Sequence, residues 1–475
     1  MKLSQLLRGT FGITTIDTSI EITDVTNNTA RIQKGCVFVC IKGASVDGHS
    51  FASKALEMGA AAVVVSQDLK LPNQILVEDT QVAFARMCAN FFGNPSEKLT
   101  MIGITGTNGK TSTSSILRNI LEYNGHKTGL IGTIENVIGD EIIPSTLTTP
   151  DSYALNELFA RMLDAGCTHC VMEVSSHALK QKRTEGIHFK VGVFSNLSRD
   201  HLDYHKTVED YFFSKCKLFE ICDTAVINID DEHGQIIANG VKCPLYTYSA
   251  KKSANFKASD IEFFSDCSKF TVETSSAKHN VCLKIPGEFS VYNGMAAVCA
   301  AIAAGLCEET AMQSLSMAQG VKGRVEVFPC KRDYTFIIDY AHTPDGLQKV
   351  LETIRAMKPR RIVTLFGCGG DRDKTKRPIM GEIAAEYSDF VIVTSDNPRT
   401  EPPMQIIEDI MPGVLKFGTE HTVIENREQA IKYAVDNAKS GDVILLAGKG
   451  HETYQILGTE KIHFDEREVL AKLLG

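Results

Sequence analysis

An apolar strand beginning at Met101 runs straight into Gly103-Ile104-Thr105-Gly106-Thr107-Asn108-Gly109-Lys110-Thr111, with a long helical stretch behind it, and this leaves few architectures open to the chain. Glycines at such spacing let backbone N–H groups converge on phosphate oxygens, and a helix beginning near Thr111 adds the positive end of its dipole. Lys110 can reach β/γ-phosphates and the Thr111 hydroxyl can ligate Mg²⁺. The common phosphate-loop pattern wants glycine five residues before Gly109, where this chain has Ile104, so Gly106 makes the tight turn instead. The bland alternative is a glycine-rich turn before a helix. Gly-Lys-Thr directly after a strand is the specific part of the signal.

The strand–loop–helix belongs to a larger βα pattern. Apolar strands are predicted at 101–104, 170–174, 191–195 and 225–229 with helices between them, which argues for a parallel sheet with crossover helices. Before residue 98, Val37–Ile41, Ala62–Val65 and Gln74–Val77 alternate with helical stretches Phe51–Met58 and Val82–Phe92, and Asn94-Pro95-Ser96 closes that block. A glycine-bearing break near Gly320–Gly323 precedes a third series, Thr335–Asp339, Arg361–Phe366, Phe390–Thr394 and Val443–Ala447, each expected to feed a helix. Phe256–Lys284 alternates like antiparallel hairpins. The expectation is an α/β fold of three domains, 1–98, 99–322 and 323–475, in keeping with 475 residues at roughly 150 per domain.

Composition excludes several classes. With 43% apolar and 23% charged residues the chain is ordinary globular material, not disordered, collagen-like or a small disulfide scaffold. Its net charge of −8 gives no general attraction to nucleic acid or anionic lipid, so a polyanionic ligand must be met by local features. No segment approaches the ~20 apolar residues of a membrane span. Met1–Arg8 reads as a first amphipathic helix, not a signal peptide. Most of the fourteen cysteines sit in apolar elements, and the close pair Cys167/Cys170 has no second pair at zinc spacing. Reduced thiols point to the cytoplasm.

In open parallel sheets ligands collect at the carboxyl ends of strands. The polar clusters Gly103–Thr111, Glu173–His177, Asn196–His201, Asp339–Thr343, Gly367–Asp373, Asp396–Arg399 and Gly448–Glu452 all fall there, suggesting a site assembled between domains. From residues alone, Glu173 is as well a capped surface carboxylate as a metal ligand, His201 somewhat less a ligand, and Lys215 one more solvated lysine beside Lys217.

Thr105-Gly106-Thr107-Asn108-Gly109-Lys110-Thr111 resembles the Mur ligase family, and the resemblance extends over essentially the whole chain. It implies a small α/β UDP-binding domain, a central P-loop parallel-sheet ATPase domain and a C-terminal Rossmann-like amino-acid-binding domain. Those enzymes activate a carboxylate with ATP as an acyl phosphate and let an amine attack it. The resemblance assigns ATP to Gly106, Thr107, Asn108, Gly109, Lys110, Thr111, Ser112, Asn293, Arg324, Asp339 and His342. Mg²⁺ goes to Thr111, Glu173, His201 and Lys215, the last as a carbamate in Tyr211-Phe212-Phe213-Ser214-Lys215; Lys110, Lys215, His201 and Glu173 would carry the chemistry.

Within the family, Leu147-Thr148-Thr149-Pro150-Asp151 and Ser175–Arg183 resemble the branch that extends UDP-MurNAc-L-Ala-D-Glu, implying contacts from Thr29, His49, Thr148, Thr149, Ser175, Gln181 and Arg183. The chain departs from the branch at Asn28-Thr29-Ala30, where Asp-Ser-Arg is usual. Asp396-Asn397-Pro398-Arg399 resembles the motif of members that add meso-diaminopimelate, with Arg372, Gly448 and Glu452 completing the pocket. A guanidinium suits diaminopimelate because that amino acid carries a second carboxylate that lysine lacks. The alternatives are a lysine-adding counterpart, a folylpolyglutamate synthase-like ligase and, outside catalysis, a nucleotide-gated switch. The implied partners are small molecules only, and the implied state is a monomer.

Overall fold

The structure, a computed structural model, describes residues 1–43, 46–264 and 266–475. Contacts divide it into two compact units, 1–256 with 296–311, and 257–295 with 312–475.

The first unit holds two sheets. In the five-stranded one, Val25–Thr26, Val37–Val39, Ala62–Val65 and Gln74–Val77 run parallel, and Gly12–Thr14 adds antiparallel at the edge. Apolar side chains fill both of its faces. In the second sheet the parallel order is Leu245–Ser249, Cys222–Asn228, Phe189–Phe194, Thr100–Thr105, His169–Glu173, Thr128–Ile131. The phosphate-loop strand Thr100–Thr105 is central, and chain order reverses around it. Its neighbours therefore deliver Glu173 on one side and Asn196 on the other. The expected strands recur within one to three residues of their predicted bounds. The hairpin Glu135–Ile138/Glu141–Pro144, which extends this sheet beyond Thr128–Ile131, carries no strong local pattern and is absent from the sequence expectation.

Phe256–Phe263, which enters the second unit at Lys257, forms the expected antiparallel strip with Ser268–Glu273 and Lys278–Leu283; Ser265 lies outside the described residues. A six-stranded sheet has the order Glu326–Phe328, Thr335–Asp339, Asp442–Ala447, Arg361–Phe366, Phe390–Val393, Glu420–Val423, parallel except for the first strand. Asp442–Ala447 is buried along its full length, as a central parallel strand covered on both faces must be. One expectation is corrected here. The strand Asp442–Ala447 feeds no helix directly: a hairpin, Tyr454–Leu457 with Glu460–His463, intervenes before the helix Glu466–Leu474. Alternating apolar and polar residues and Gly458 at φ 60° make that turn.

Among the described residues no helix is long and apolar enough to cross a membrane.

Candidate functional site

The loop after Thr100–Thr105 is held from outside. Gly106 sits at φ 147°, and a Cβ there would lie 1.9 Å from Ser195 Oγ, so only glycine lets the loop lie against the neighbouring strand end. Asn196 accepts from Thr107 N at 2.8 Å through its carbonyl and from Asn108 N at 3.0 Å through Oδ1. Ser195 Oγ donates to Asn108 O at 2.6 Å, and the Thr107 hydroxyl meets the Tyr211 hydroxyl at 3.1 Å. The helix Lys110–Tyr123 then starts behind Gly109, at φ 86°. Lys110 Nζ lies over the loop, donating to the carbonyls of Gly106 and Thr107, each at 2.9 Å.

Beside the loop, Glu173 ends its strand almost fully buried. Its Oε2 accepts from Thr111 Oγ1 at 3.1 Å and Thr133 Oγ1 at 2.9 Å, and its Oε1 from Thr133 N at 2.9 Å. Thr133 sits in the turn after Thr128–Ile131, and no motif in the sequence marks it. Its hydroxyl also meets Thr148 at 3.0 Å, and Thr149 Oγ1 donates to the Glu173 carbonyl at 2.8 Å. Arg183 Nη1 donates to Thr149 O at 2.7 Å, and Ser175 N donates to Thr149 Oγ1 at 3.0 Å. Gln181 takes Arg183 on Oε1 and gives Nε2 to the Tyr204 hydroxyl. Thr111, Thr148, Thr149, Glu173, Ser175, Gln181 and Arg183 thus form one hydrogen-bonded chain.

Lys215 corrects the reading from residues alone. It is buried, 1% exposed, with Nζ donating to Gly106 O at 2.8 Å and lying 4.3 Å from the centre of the Tyr211 ring. Burial, and then the charge of Lys110, pushes its ammonium well below lysine's ordinary range, with Asp200 opposing. Helical spacing in Val208–Cys216 turns Tyr211 and Lys215 to one face. His201 sits at φ 52°, its Nε2 3.5 Å from Asp200 Oδ2 and its ring 4.9 Å from that of His177.

Two cavities open on the five-stranded part of this unit. One, about 200 Å³, is lined by Thr29, Ala30, Ile32, Phe51, Lys54 and Met58. The other, about 170 Å³, lies between Gln81 and Phe84 on one side and Asp151, Gln181 and Arg183 on the other. Lys182 spans the same seam, with Nζ 2.6 Å from Asp79 Oδ2. His49 Nδ1 meets Asp47 at 2.6 Å and its Nε2 accepts from Ser66 N at 3.0 Å.

Donor chemistry decides whether these residues fit a divalent cation. The Thr111 hydroxyl and Glu173 carboxylate are adjacent hard oxygen donors. Mg²⁺ commonly takes one or two carboxylates and completes its shell with substrate phosphate and water. Among the described residues no three His, Cys, Asp or Glu side chains converge to hold a metal alone. The set therefore fits a phosphate-bridging ion, not an all-protein cage.

In the second unit, Asp339 ends Thr335–Asp339 buried, accepting from Val325 N and Ala341 N at 2.7 Å each. Burial raises its carboxyl, with Arg324 and those amides opposing. Arg324 lies 5.2 Å from the centre of the Tyr340 ring. His342 Nδ1 meets Tyr340 O at 2.8 Å, and burial lowers its pKa. Asn293 lies on the helix Glu288–Ala303.

Asp396, Asn397 and Glu452 converge on a residue not singled out from the sequence, Lys449, whose side chain is fully buried. Asn397 Nδ2 donates to Glu452 Oε2 at 2.9 Å. Gly448 is at φ 110°, and a Cβ there would stand 2.8 Å from Asp396 Oδ2. The hairpin fixes the segment: Gln455 Nε2 donates to Asp396 O at 2.5 Å, and Arg399 exchanges backbone bonds with Ile456 O and Gly458 N. Arg399 is thereby held at φ 51°, with Nη1 donating to Gly370 O at 2.8 Å just after Pro398. Arg372 Nη1 donates to Asp371 O at 3.0 Å. Nearby, buried Arg377 pairs with Glu401 and Asp409, a support the motifs do not reveal.

A central P-loop strand flanked by a buried carboxylate and lysine, with a second Rossmann-like sheet bearing a charged cluster at its strand ends, defines a phosphate-handling α/β ligase class. The chain belongs to the Mur ligase family. Residues 104–301 match the Mur ligase middle domain, 323–450 the Mur ligase, glutamate ligase domain, and 21–88 the Mur ligase family, catalytic domain. It is 46% identical to the UDP-N-acetylmuramoyl-L-alanyl-D-glutamate--2,6-diaminopimelate ligase of Clostridium perfringens, covering 100% of this chain and 99% of that one. The same-named protein of Listeria monocytogenes is 43% identical over 98% of this chain and 97% of its own. A solved structure of a protein with that name superposes with a TM-score of 0.78 at 30% identity, covering 100% of this chain and 98% of the other.

Proposed function

We propose that the chain is an ATP-dependent acid–amino-acid ligase of peptidoglycan precursor synthesis that joins meso-diaminopimelate to UDP-MurNAc-L-Ala-D-Glu, releasing ADP and phosphate. The observation that carries the choice of amino acid is that Arg399 Nη1 donates to Asn397 O at 3.5 Å, and Asn397 in turn bonds Lys449 and Glu452 beside Asp396. A guanidinium beside surplus carboxylate matches a distal centre bearing both a carboxylate and an ammonium, which diaminopimelate has and lysine has not. The full-length relatives that bear the name of that ligase support the same reading.

The three segments take separate jobs: 1–98 the UDP end, 99–322 ATP and the acyl transfer, 323–475 the amino acid. Amides of Gly106–Ser112 receive the phosphates, Lys110 neutralises them, and Asn293, Arg324, Asp339 and His342 meet the nucleotide. Thr148, Thr149, Ser175, Gln181 and Arg183 hold the D-Glu end of the precursor, Thr29 lines the uridine side, and His49 braces that wall. Thr111, Glu173, His201 and Lys215 would hold Mg²⁺, which when bound offsets phosphate charge during transfer. The depressed ammonium of Lys215 explains how it takes that role. A neutral amine adds to CO₂, losing one proton, and the resulting carbamate supplies oxygens where an ammonium would repel the ion. The D-Glu carboxylate then takes the γ-phosphoryl group, and the amine held by Arg372, Asp396, Asn397, Arg399, Gly448 and Glu452 displaces it to form the amide. The chain acts as a monomer in the cytoplasm, where free thiols such as its own fourteen persist.

Phosphate release measured with each amino acid tests the reading. Turnover that requires both the UDP-dipeptide and diaminopimelate, and is at least about 10²-fold poorer with lysine, is expected from losing one buried carboxylate contact. Equal or better turnover with lysine favours the lysine-adding counterpart.

A further inference from the structure

The roles above leave the buried side chain of Lys449 unused. Lys449 Nζ lies 3.1 Å from Glu452 Oε2, 3.3 Å from Asn397 Oδ1 and 3.5 Å from Asp396 Oδ1, and its side chain is 0% exposed. An ammonium has three donors and no acceptor. Two of them go to Glu452 and Asn397, Asp396 Oδ1 lies at ion-pair distance without a hydrogen bond, and full burial keeps the ammonium itself from a ligand. Its effect on a ligand must come through its neighbours. Glu452 has Oε2 occupied by Lys449 and Asn397, while among the described residues Oε1 keeps only a 3.4 Å contact from the Tyr454 hydroxyl. Removing the cation would leave two carboxylates facing each other in a buried pocket, a strongly unfavourable arrangement.

We propose that Lys449 is a positioning residue that sets amino-acid specificity: it fixes Glu452 and Asn397 in one geometry and cuts the charge of the Asp396–Glu452 pair from two negatives to one, matching a single substrate ammonium. The inference rests on the diaminopimelate reading. A pocket with one surplus negative charge, next to the Arg399 guanidinium, is balanced by a zwitterionic distal centre. With two surplus negatives it is not, and lysine, whose distal end bears an ammonium without a carboxylate, gains relative to diaminopimelate.

The test is steady-state kinetics of the full chain for all three substrates. In Lys449→Met, KM for diaminopimelate is expected to rise about 10²-fold, as when one partner of a buried charge pair is truncated, while KM for ATP and for the UDP-dipeptide stays within about twofold. In Lys449→Met/Asp396→Asn, which restores a single negative charge, at least about tenfold of that loss returns. An unchanged KM for diaminopimelate, an equal rise in all three KM values or no recovery in the double variant overturns the proposal. Should Lys449→Met fail to fold, Lys449→Arg serves: it keeps the charge but changes the geometry, so KM for diaminopimelate alone rises about tenfold, and no rise overturns the proposal. Absence of diaminopimelate-dependent turnover in the native chain is a failure of the activity reading itself, separable from any result on Lys449.

Discussion

Lys215, in the helix Val208–Cys216, and Lys449, just past the strand Asp442–Ala447, are 1% and 0% exposed, yet their surroundings differ in kind. Lys215 faces a backbone carbonyl and the charge of Lys110, with no carboxylate of the described residues within ion-pair distance, and the fold favours its neutral amine. Lys449 faces two carboxylates and an amide oxygen, which hold it as a structural cation. Burial alone does not fix what a lysine does. The charge next to it selects between a group ready for covalent modification and a fixed counter-ion.

The sharpest break between the two is a parallel pair of methionine variants. Lys215→Met is expected to lower turnover by roughly 10²–10³-fold with substrate KM values little changed, because it removes stabilisation at the transferring phosphoryl group. Lys449→Met should act on KM instead. A kcat loss in both would erase the distinction. Next in size, Arg399→Met should raise KM for diaminopimelate by about 30–100-fold, the loss of one bidentate charged contact, and leave KM for lysine nearly unmoved.

Stability sharpens the comparison further. The native state disfavours protonated Lys215, so the unfolded chain binds more protons at that residue, and native stability rises with pH until the ordinary value of 10.5 is passed. In CO₂-depleted buffer, Lys215→Met should therefore melt a few degrees higher, on the order of 2–4 °C, and that gain should shrink as pH climbs toward 10.5. The smallest effect concerns the ion pairs that support the second unit. Hydrogen bonds from Arg377 above all hold the Glu401 carboxyl at about 2, below its ordinary 4.5. Its contribution is complete above pH 4.5 and is lost as pH falls toward 2. Hydrogen exchange across residues 369–409 should report that loss in the native chain and a flatter acid response in Glu401→Gln.

The phosphate loop was legible because its chemistry is local: Gly106, Gly109, Lys110 and Thr111 lie within six residues, and strand and helix periodicity frame them. Asp396–Arg399 and Gly448–Glu452 were legible as clusters at strand ends. Thr133 was not, because a threonine in a turn carries no signal until the sheet sets it beside Glu173. The His49 motif was legible, but its ring bonds to Asp47 and Ser66 were not, because Ser66 comes from a distant strand end. The hairpin after Asp442–Ala447 was missed because a βα rhythm leads one to expect another helix, although Gln455 and Ile456 from that hairpin fix Asp396 and Asn397.

By itself the sequence determined the α/β class, the parallel sheets, the phosphate loop and the residue types of the proposed amino-acid pocket, all features written in short-range spacing. Tertiary structure alone decided which side chains are dehydrated and what faces them. Read in isolation, Lys215 is a surface lysine and Lys449 a spacer between two glycines. Desolvation and the sign of the neighbouring charge are properties of residues far apart in the chain, such as Gly106 against Lys215 and Asp396 against Lys449, and only the packed sheets bring those together.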